Sequence, residues 1–552
     1  MKFSLIAILI IAALTRLLFL GQFPNGFTGD EAQQGYSAYS ILKTGKDEWG
    51  EILPLFPRGF GDFKPPLYTY LTIPMIAIFG LTVEAVRLPA AIVGILSVLV
   101  VFFLAKELTN GASGTKNKKI AFWSAFLLAI SPWHIQLSRT AFEGGVGVLT
   151  FSLFLLYFLK SSAKNYILAS IFAGLTLYTY HSWRLFIIFL LMGLVIVYRK
   201  KLLIGKNWVA ALILAVFFLP LVFNINSILA RSSDVGITSQ SQITGYFQNK
   251  SISILPYQID RVFDNKVIFI GSEFLKNYLS YFSPSFFFTG ARSDGSYLNF
   301  PGFGLLFTVE LVFWFFAFTH IFFKGFENKQ SFSTSRKIIL LWFFLAPLPS
   351  ALATGGMNAG RTPNYLPLTA IISAIGAVSF LNWLDTKKNI VFSKVNILIG
   401  VLFISLFYFM HFYFIKLPNN PPHNLRFGYD RVFKKVLEVQ NDYDKVIFSK
   451  VFTEPQIFIG FYGKIDPTTY QNASKDWLRY VDAKRSYIDQ LESWNLGKFL
   501  FEDLNWQKKE SQRKNALIIS KPEDFPDDVI SILDVKNPKG QILYRLVPTN
   551  VN

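Results

Sequence analysis

The chain has 552 residues, 52% of them hydrophobic and 17% aromatic, with only 16% charged and a formal net charge of +19. Soluble domains carry charge on about one residue in four, so an ordinary soluble protein is excluded. The absence of cysteine likewise excludes a disulfide framework, a thiol nucleophile and a cysteine zinc site.

A membrane crossing takes about 20 apolar residues, or fewer where the bilayer adapts. On that rule the sequence predicts about eleven transmembrane helices, near residues 3–20, 86–106, 120–136, 143–159, 165–180, 185–198, 208–223, 301–323, 338–353, 365–384 and 395–415. The first is read as an uncleaved span, because Arg16 interrupts its far end and no small-x-small cleavage site follows. The basic excess falls in short clusters between the spans: Lys116, Lys118 and Lys119; Lys160 and Lys164; Arg199, Lys200, Lys201 and Lys206; Lys324, Lys329, Arg336 and Lys337; Lys387, Lys388 and Lys394. Numbered from a cytoplasmic N-terminus, every cluster lands inside, as cytoplasmic loops require. That leaves 21–85, 137–142, 181–184, 224–300, 354–364 and the tail from 416 on the extracytoplasmic side, where most of the uncommon polar motifs lie. The apolar segment 65–80 is short and flanked by Lys64 and Glu84, which suits a helix lying in the interface.

The tail alternates strand-like runs (445–449, 498–501, 516–520 and 541–546) with polar helical stretches, which predicts a small α/β domain outside the membrane. The expected division is therefore a transmembrane domain, 1–415, and an extracytoplasmic domain, 416–552. No internal repeat is visible, in particular none of the inverted repeats of transporters.

The first outer loop carries Phe23-Pro24-Asn25-Gly26-Phe27-Thr28-Gly29-Asp30-Glu31, two adjacent acids after a Gly/Pro turn. Thr28 to Glu31 fits a capping box, and acids in a first helical turn suit the helix dipole. A rigid helix start is also a good mount for a catalytic carboxylate, so the two readings are compatible and Asp30 and Glu31 are both candidate catalytic acids. Gly59-Phe60-Gly61-Asp62-Phe63-Lys64-Pro65-Pro66 follows, with prolines fixing the backbone and setting Lys64 at headgroup depth, as an anchor or as a grip on a lipid phosphate. Glu84 to Pro89 opens the second span, with Arg87 expected as an interface anchor.

This order of motifs resembles the GT-C class of integral membrane glycosyltransferases, in the branch holding protein O-mannosyltransferases and the aminoarabinose transferases of lipid A. Ser131-Pro132-Trp133-His134 running to Arg139 and Glu143, Tyr178-Thr179-Tyr180-His181 running to Arg184, and Asn277 to Pro284 extend the likeness. Pro301 to Gly304, and Pro347 to Ser350 leading to Arg361, carry it across about residues 1–415. The resemblance implies Asp30 as general base or acceptor-orienting acid, Glu143 as a second acid beside the acceptor, and Lys64 as the lysine on the lipid phosphate. The aminoarabinose transferases place a metal-site acid just before Lys-Pro-Pro; Phe63 stands there in this chain, so that site is not carried over.

Arg184 and Arg361 are the basic residues of very short outer turns, against the base rate, and are candidate phosphate cations. Arg58, His134, Arg139 and His181 are further candidates for donor or acceptor contact, each with an alternative reading as a packing or capping group, and Arg139 and Glu143 also fit an i,i+4 pair. Glu310 lies within a span and is left unassigned. No nucleotide-binding glycine loop, Asp-x-Asp motif or metal-ligand spacing is seen, so neither cofactor nor metal is expected. The expected partners are a polyprenyl-phosphate sugar, an acceptor on protein, lipid or glycan, and the bilayer, with no nucleic acid. The competing reading is a transporter or flippase of lipid-linked glycans, which predicts mid-membrane charges and internal symmetry.

Overall fold

The structure is a computed structural model. It describes the chain apart from residues 1–3, 111–113, 203–207, 226–234, 252–257, 259–261, 263–264, 291–302, 325–328, 387–392, 420–424, 484, 486, 505, 507–514 and 550–552. Pro301, Lys206, Lys387 and Lys388 lie outside the described residues. Two compact units divide it. One comprises Met1–Leu18, Ala90–Ser138 and Glu143–Phe409; the other comprises Phe19–Pro89, Arg139–Phe142 and Met410–Asn552.

The first unit is helical. Leu366–Asp385 packs on both Glu310–Thr319 and Gly114–Ile130, and it is rich in small residues (Ala370, Ser373, Ala374, Gly376 and Ala377) that let backbones approach. At Gly376 the approach is so close that a Cβ would stand 1.8 Å from the Phe313 carbonyl oxygen. Among the described residues four helices are long and apolar enough to cross a membrane: Val83–Leu108, His181–Tyr198, Pro363–Asp385 and Lys394–Asn419. The expected count of eleven is not reached. The apolar helices Leu5–Leu17, Pro66–Phe79, Gly144–Leu159, Ala163–Leu177, Trp208–Phe223 and Glu310–Phe322 are shorter, at 10–17 residues. Hydropathy marked apolar runs, but turns and helix breaks cut several of those runs below a full crossing. The protein is a polytopic α-helical membrane protein with a small C-terminal domain.

The second unit joins the first long loop to the C-terminal domain. Helix α1 (Gly29–Thr44) packs on Pro455–Gly463 and Pro467–Trp477. Tyr36 donates its hydroxyl to the Ile465 carbonyl at 2.9 Å, and the Gln471 amide donates to Ser40, Thr44 and the Asp47 carbonyl. The Phe27 and Phe461 rings meet at 4.7 Å, as do Tyr36 and Tyr470.

The C-terminal domain holds a six-stranded mixed sheet in the order β2-β3-β1-β4-β6-β5. Its strands are β1 (Lys445–Ser449), β2 (Ser493–Leu496), β3 (Phe499–Glu502), β4 (Ala516–Ser520), β5 (Leu533–Lys536) and β6 (Ile542–Thr549). β1 pairs in parallel with β3 on one side and β4 on the other. Its apolar run and that of β4 are buried almost throughout, as central parallel strands require. The α/β expectation holds. β1, β3, β4 and β6 coincide with the expected strand-like runs, whereas β2 and β5 were not expected, being four-residue strands whose polar-apolar patterns are too short to read.

Candidate active site

The site is best built outward from the start of α1. Thr28 is its N-cap: the Glu31 backbone N–H donates to Thr28 Oγ1 and the Thr28 N–H donates to Glu31 Oε2 at 3.0 Å, a complete capping box. Glu31 does more than cap. Arg87 Nε lies 2.8 Å from Glu31 Oε1, with Arg87 0% and Glu31 2% exposed on their side chains. The same Oε1 accepts from the Ala141 N–H at 3.1 Å. Arg87 spends its remaining donors on the carbonyls of Leu20, Pro24 and Gly26. The expected interface anchor is thus a buried partner of Glu31 that pins the turn ahead of the helix, because a guanidinium has enough donors to gather several carbonyls at once. Arg139 works on the same turn: it donates to the Phe19 and Phe23 carbonyls and stands over the Tyr413 and Phe414 rings.

Asp30 points elsewhere. Its side chain is 49% exposed, and its Oδ1 lies 2.7 Å from Lys64 Nζ. Lys64 is itself delivered by a tight hairpin: the Gly59 N–H donates to the Asp62 carbonyl at 2.7 Å, the Lys64 N–H donates to the Pro57 carbonyl at 2.8 Å, and Arg58 bridges to Phe63. Pro65 and Pro66 then start helix Pro66–Phe79, so the chain leaves Lys64 in a fixed direction. Asp62 completes the set, with Oδ1 3.3 Å from the ammonium. Adjacent acids therefore face opposite ways, Glu31 inward to Arg87 and Asp30 outward to Lys64. Arg58 offers its carbonyl to the Gln33 amide and lays its guanidinium over the Trp49 and Phe63 rings.

Behind α1 lies a second acid pair that the sequence reading passed over. Glu48 is fully buried and accepts from the Gln33 amide at 3.2 Å. Burial, with Asp47 beside it, pushes its carboxyl well above the usual range. Glu454, from the C-terminal domain, was also missed. Burial first, and the charge of Asp30 second, raise its carboxyl to about 8. Nothing in its sequence setting, Thr453-Glu454-Pro455, marks it among the acids of a soluble domain.

The remaining candidates belong to the helical unit. Glu143 is buried at the start of helix Gly144–Leu159. Arg184 is buried, donates from Nε to the Leu177 carbonyl at 3.0 Å, and has Nη1 3.1 Å from His181 Nδ1. Arg361 donates to the Thr354 carbonyl from a short 3-10 turn, Ala359–Arg361. His134 has Nδ1 2.8 Å from Arg16, which also holds the Leu128 and Ala129 carbonyls. That buried cluster closes a helix end. Glu310, the first residue of its helix, accepts at 3.0 Å from the Phe307 N–H in the turn that precedes it. A cavity of about 340 Å³ in this unit is lined by apolar and aromatic residues, among them Phe282, Phe287, Trp314, Phe318 and Phe343. Among the described residues no three His, Asp or Glu side chains group to hold a metal ion.

Residues 63–223 match the dolichyl-phosphate-mannose-protein mannosyltransferase family. Among curated proteins none matches the chain. Among solved structures, the chain is similar to ArnT from Cupriavidus metallidurans in the apo state, at 11% identity and a TM-score of 0.52, over 99% of this chain and 97% of that one. The same enzyme bound to undecaprenyl phosphate gives 10% identity and 0.49, over 99% and 98%. An oligosaccharyltransferase of Archaeoglobus fulgidus tethered with an acceptor peptide gives 14% identity and 0.47, over 83% of this chain and 63% of that one.

Proposed function

We propose that this chain, a membrane protein of the GT-C fold, is a glycosyltransferase that moves a sugar from a polyprenyl-phosphate donor to an acceptor hydroxyl on the extracytoplasmic side of the membrane. The observation that carries the reading is the Asp30–Lys64 pair, an exposed carboxylate and a largely buried ammonium 2.7 Å apart at a rigidly capped helix start. The family matched over residues 63–223 is named for a dolichyl-phosphate sugar, and that match begins one residue before Lys64.

The chemistry follows from the donor. The acceptor oxygen attacks the anomeric carbon, the bond from that carbon to the phosphate oxygen breaks, and the bonding pair leaves with the phosphate. The leaving phosphate gains one negative charge and needs a cation rather than a proton; Lys64 supplies it. The acceptor hydroxyl loses its proton to Asp30, a carboxylate suited to general-base work. Lys64 lies within ion-pair distance of both Asp30 and Asp62. A donor phosphate draws the ammonium toward itself and releases Asp30 to the acceptor. One base, one cation and a single displacement give inversion at the anomeric carbon.

Glu143 serves in this reading as the second acid, and Arg184 and Arg361 as further cations for phosphate. Glu31 serves as a positioning residue that acts through Arg87 and the α1 cap. The apolar cavity beside Trp314 has the character an isoprenoid chain requires. The test is Asp30→Asn, which keeps shape but cannot take a proton. Transfer should fall by at least about 100-fold while binding of polyprenyl phosphate persists. Near-wild-type turnover at saturating donor and acceptor would move the base to Glu143.

A further inference from the structure

We infer that Glu454, contributed by the C-terminal domain, is the acceptor-orienting residue of this active site, holding a second polar group of the acceptor beside the hydroxyl that Asp30 deprotonates. The inference rests on the proposed function and gives the C-terminal domain a part in it.

The place of Glu454 in the sheet is one where ligands bind. Glu454 lies in the loop that leaves the carboxyl end of β1 and enters helix Pro455–Gly463. β1 is parallel to both neighbours, and the chain goes first to the β2–β3 side and later to β4 on the other. Open α/β sheets bind ligands outside the carboxyl ends of their strands, where the strand order reverses. Here that edge holds Glu454.

The residue is also held firmly in place. Glu454 has φ 54° and ψ 45°, a left-handed conformation that a side chain disfavours. Its backbone is fixed on both sides: its N–H faces the Asp489 carboxylate, the Thr453 N–H donates to the Tyr429 hydroxyl at 3.3 Å, and Pro455 follows. The result aims the side chain at the helix that carries Asp30. A Cβ added to Gly29 would stand 2.4 Å from Glu454 Oε2. The charged groups it faces are Asp30 and Lys64, then Asp489 and Asp62.

The electrostatics of the site act on the same residue. A carboxyl set among three other acids and one lysine is costly in its charged form. Burial and Asp30 raise it to about 8, so near neutral pH it carries a proton. It can then donate to one acceptor oxygen or accept from an amine, without repelling the charge on Asp30. Two carboxyl groups in unlike states can divide the work, one taking the proton of the attacking hydroxyl and the other fixing the acceptor's orientation.

The experiment compares variants on two readouts. The first is the envelope product formed in the source cells, measured by mass spectrometry with the native acceptor. The second is binding of undecaprenyl phosphate to purified protein. Glu454→Ala should lower product by about tenfold or more, the factor for a lost hydrogen bond to a polar ligand group, with phosphate-lipid binding within about twofold of wild type. Glu454→Gln, which keeps a neutral donor and acceptor, should recover most of the product. Gly29→Ala, which displaces only the far end of the Glu454 side chain, should reproduce the Glu454→Ala loss. Product within twofold of wild type in Glu454→Ala would overturn the inference, and so would a loss of lipid binding equal to that of Lys64→Ala. Unchanged product in both Asp30→Asn and Lys64→Ala would instead overturn the proposed function, whatever Glu454 does.

Discussion

Glu31→Gln should destabilise the second unit severely, whereas its neighbour Asp30→Asn should leave the fold nearly unchanged. Glu31 is 2% exposed and neutralises an Arg87 that is fully buried. Removing the charge strands a guanidinium among the carbonyls of Leu20, Pro24 and Gly26, and it weakens contacts to the Thr28 and Ala141 N–H groups. Breaking one side of a buried ion pair costs about 3–5 kcal/mol. At roughly 2–4 °C per kcal/mol for a domain of 150–250 residues, the melting temperature should fall by about 6–20 °C. Asp30 is half exposed, so its pair with Lys64 contributes at most about 1 kcal/mol, a shift of about 4 °C or less. The assay is thermal unfolding of detergent-solubilised protein, followed by size-exclusion chromatography of the heated samples, with both variants run beside wild type. A Glu31→Gln protein that melts with Asp30→Asn would refute the reasoning and show that the Arg87 network carries little of the stability.

Lys64→Ala should weaken binding of undecaprenyl phosphate by about 10- to 100-fold, the range for a charge-assisted contact; unchanged affinity in a direct binding measurement would reduce Lys64 to an anchor. Stability should fall as pH rises from about 5 to 8. Burial raises Glu454 from 4.5 to about 8 and raises Glu48 as well, so across that window the folded state binds more protons than the unfolded state. Melting curves from pH 5 to 9 should show this slope, flattened in Glu454→Gln; a slope of opposite sign would contradict it. The chain lacks cysteine, so single cysteines can report topology without background. Asn472→Cys should react with an impermeant thiol reagent in intact cells and Ser161→Cys should not, and the reverse pattern would invert the proposed orientation.

Features that depend on short-range order and on composition are legible in the sequence. Apolar runs and basic clusters made this a polytopic membrane protein, and buried parallel strands such as β1 and β4 showed as continuous apolar runs. Thr28 to Glu31 announced a capped helix start, because a capping box is closed within one turn of chain. Asp30 and Lys64 were legible as candidates for the same reason, each standing in a local motif of prolines and glycines. Which way the two adjacent acids face is set by the folded chain. Whether an acid faces inward to Arg87 or outward to Lys64 depends on partners 56 and 34 residues away, and no periodicity encodes such a choice. The same holds for helix length, since a hydropathy window cannot see where packing breaks a run. It holds most of all for Glu454, which comes beside Asp30 and Lys64 through the fold of a domain far downstream in the chain. Its sequence neighbours carry no trace of that meeting, because the forces that aim it are long-range contacts, which form only once the chain is folded.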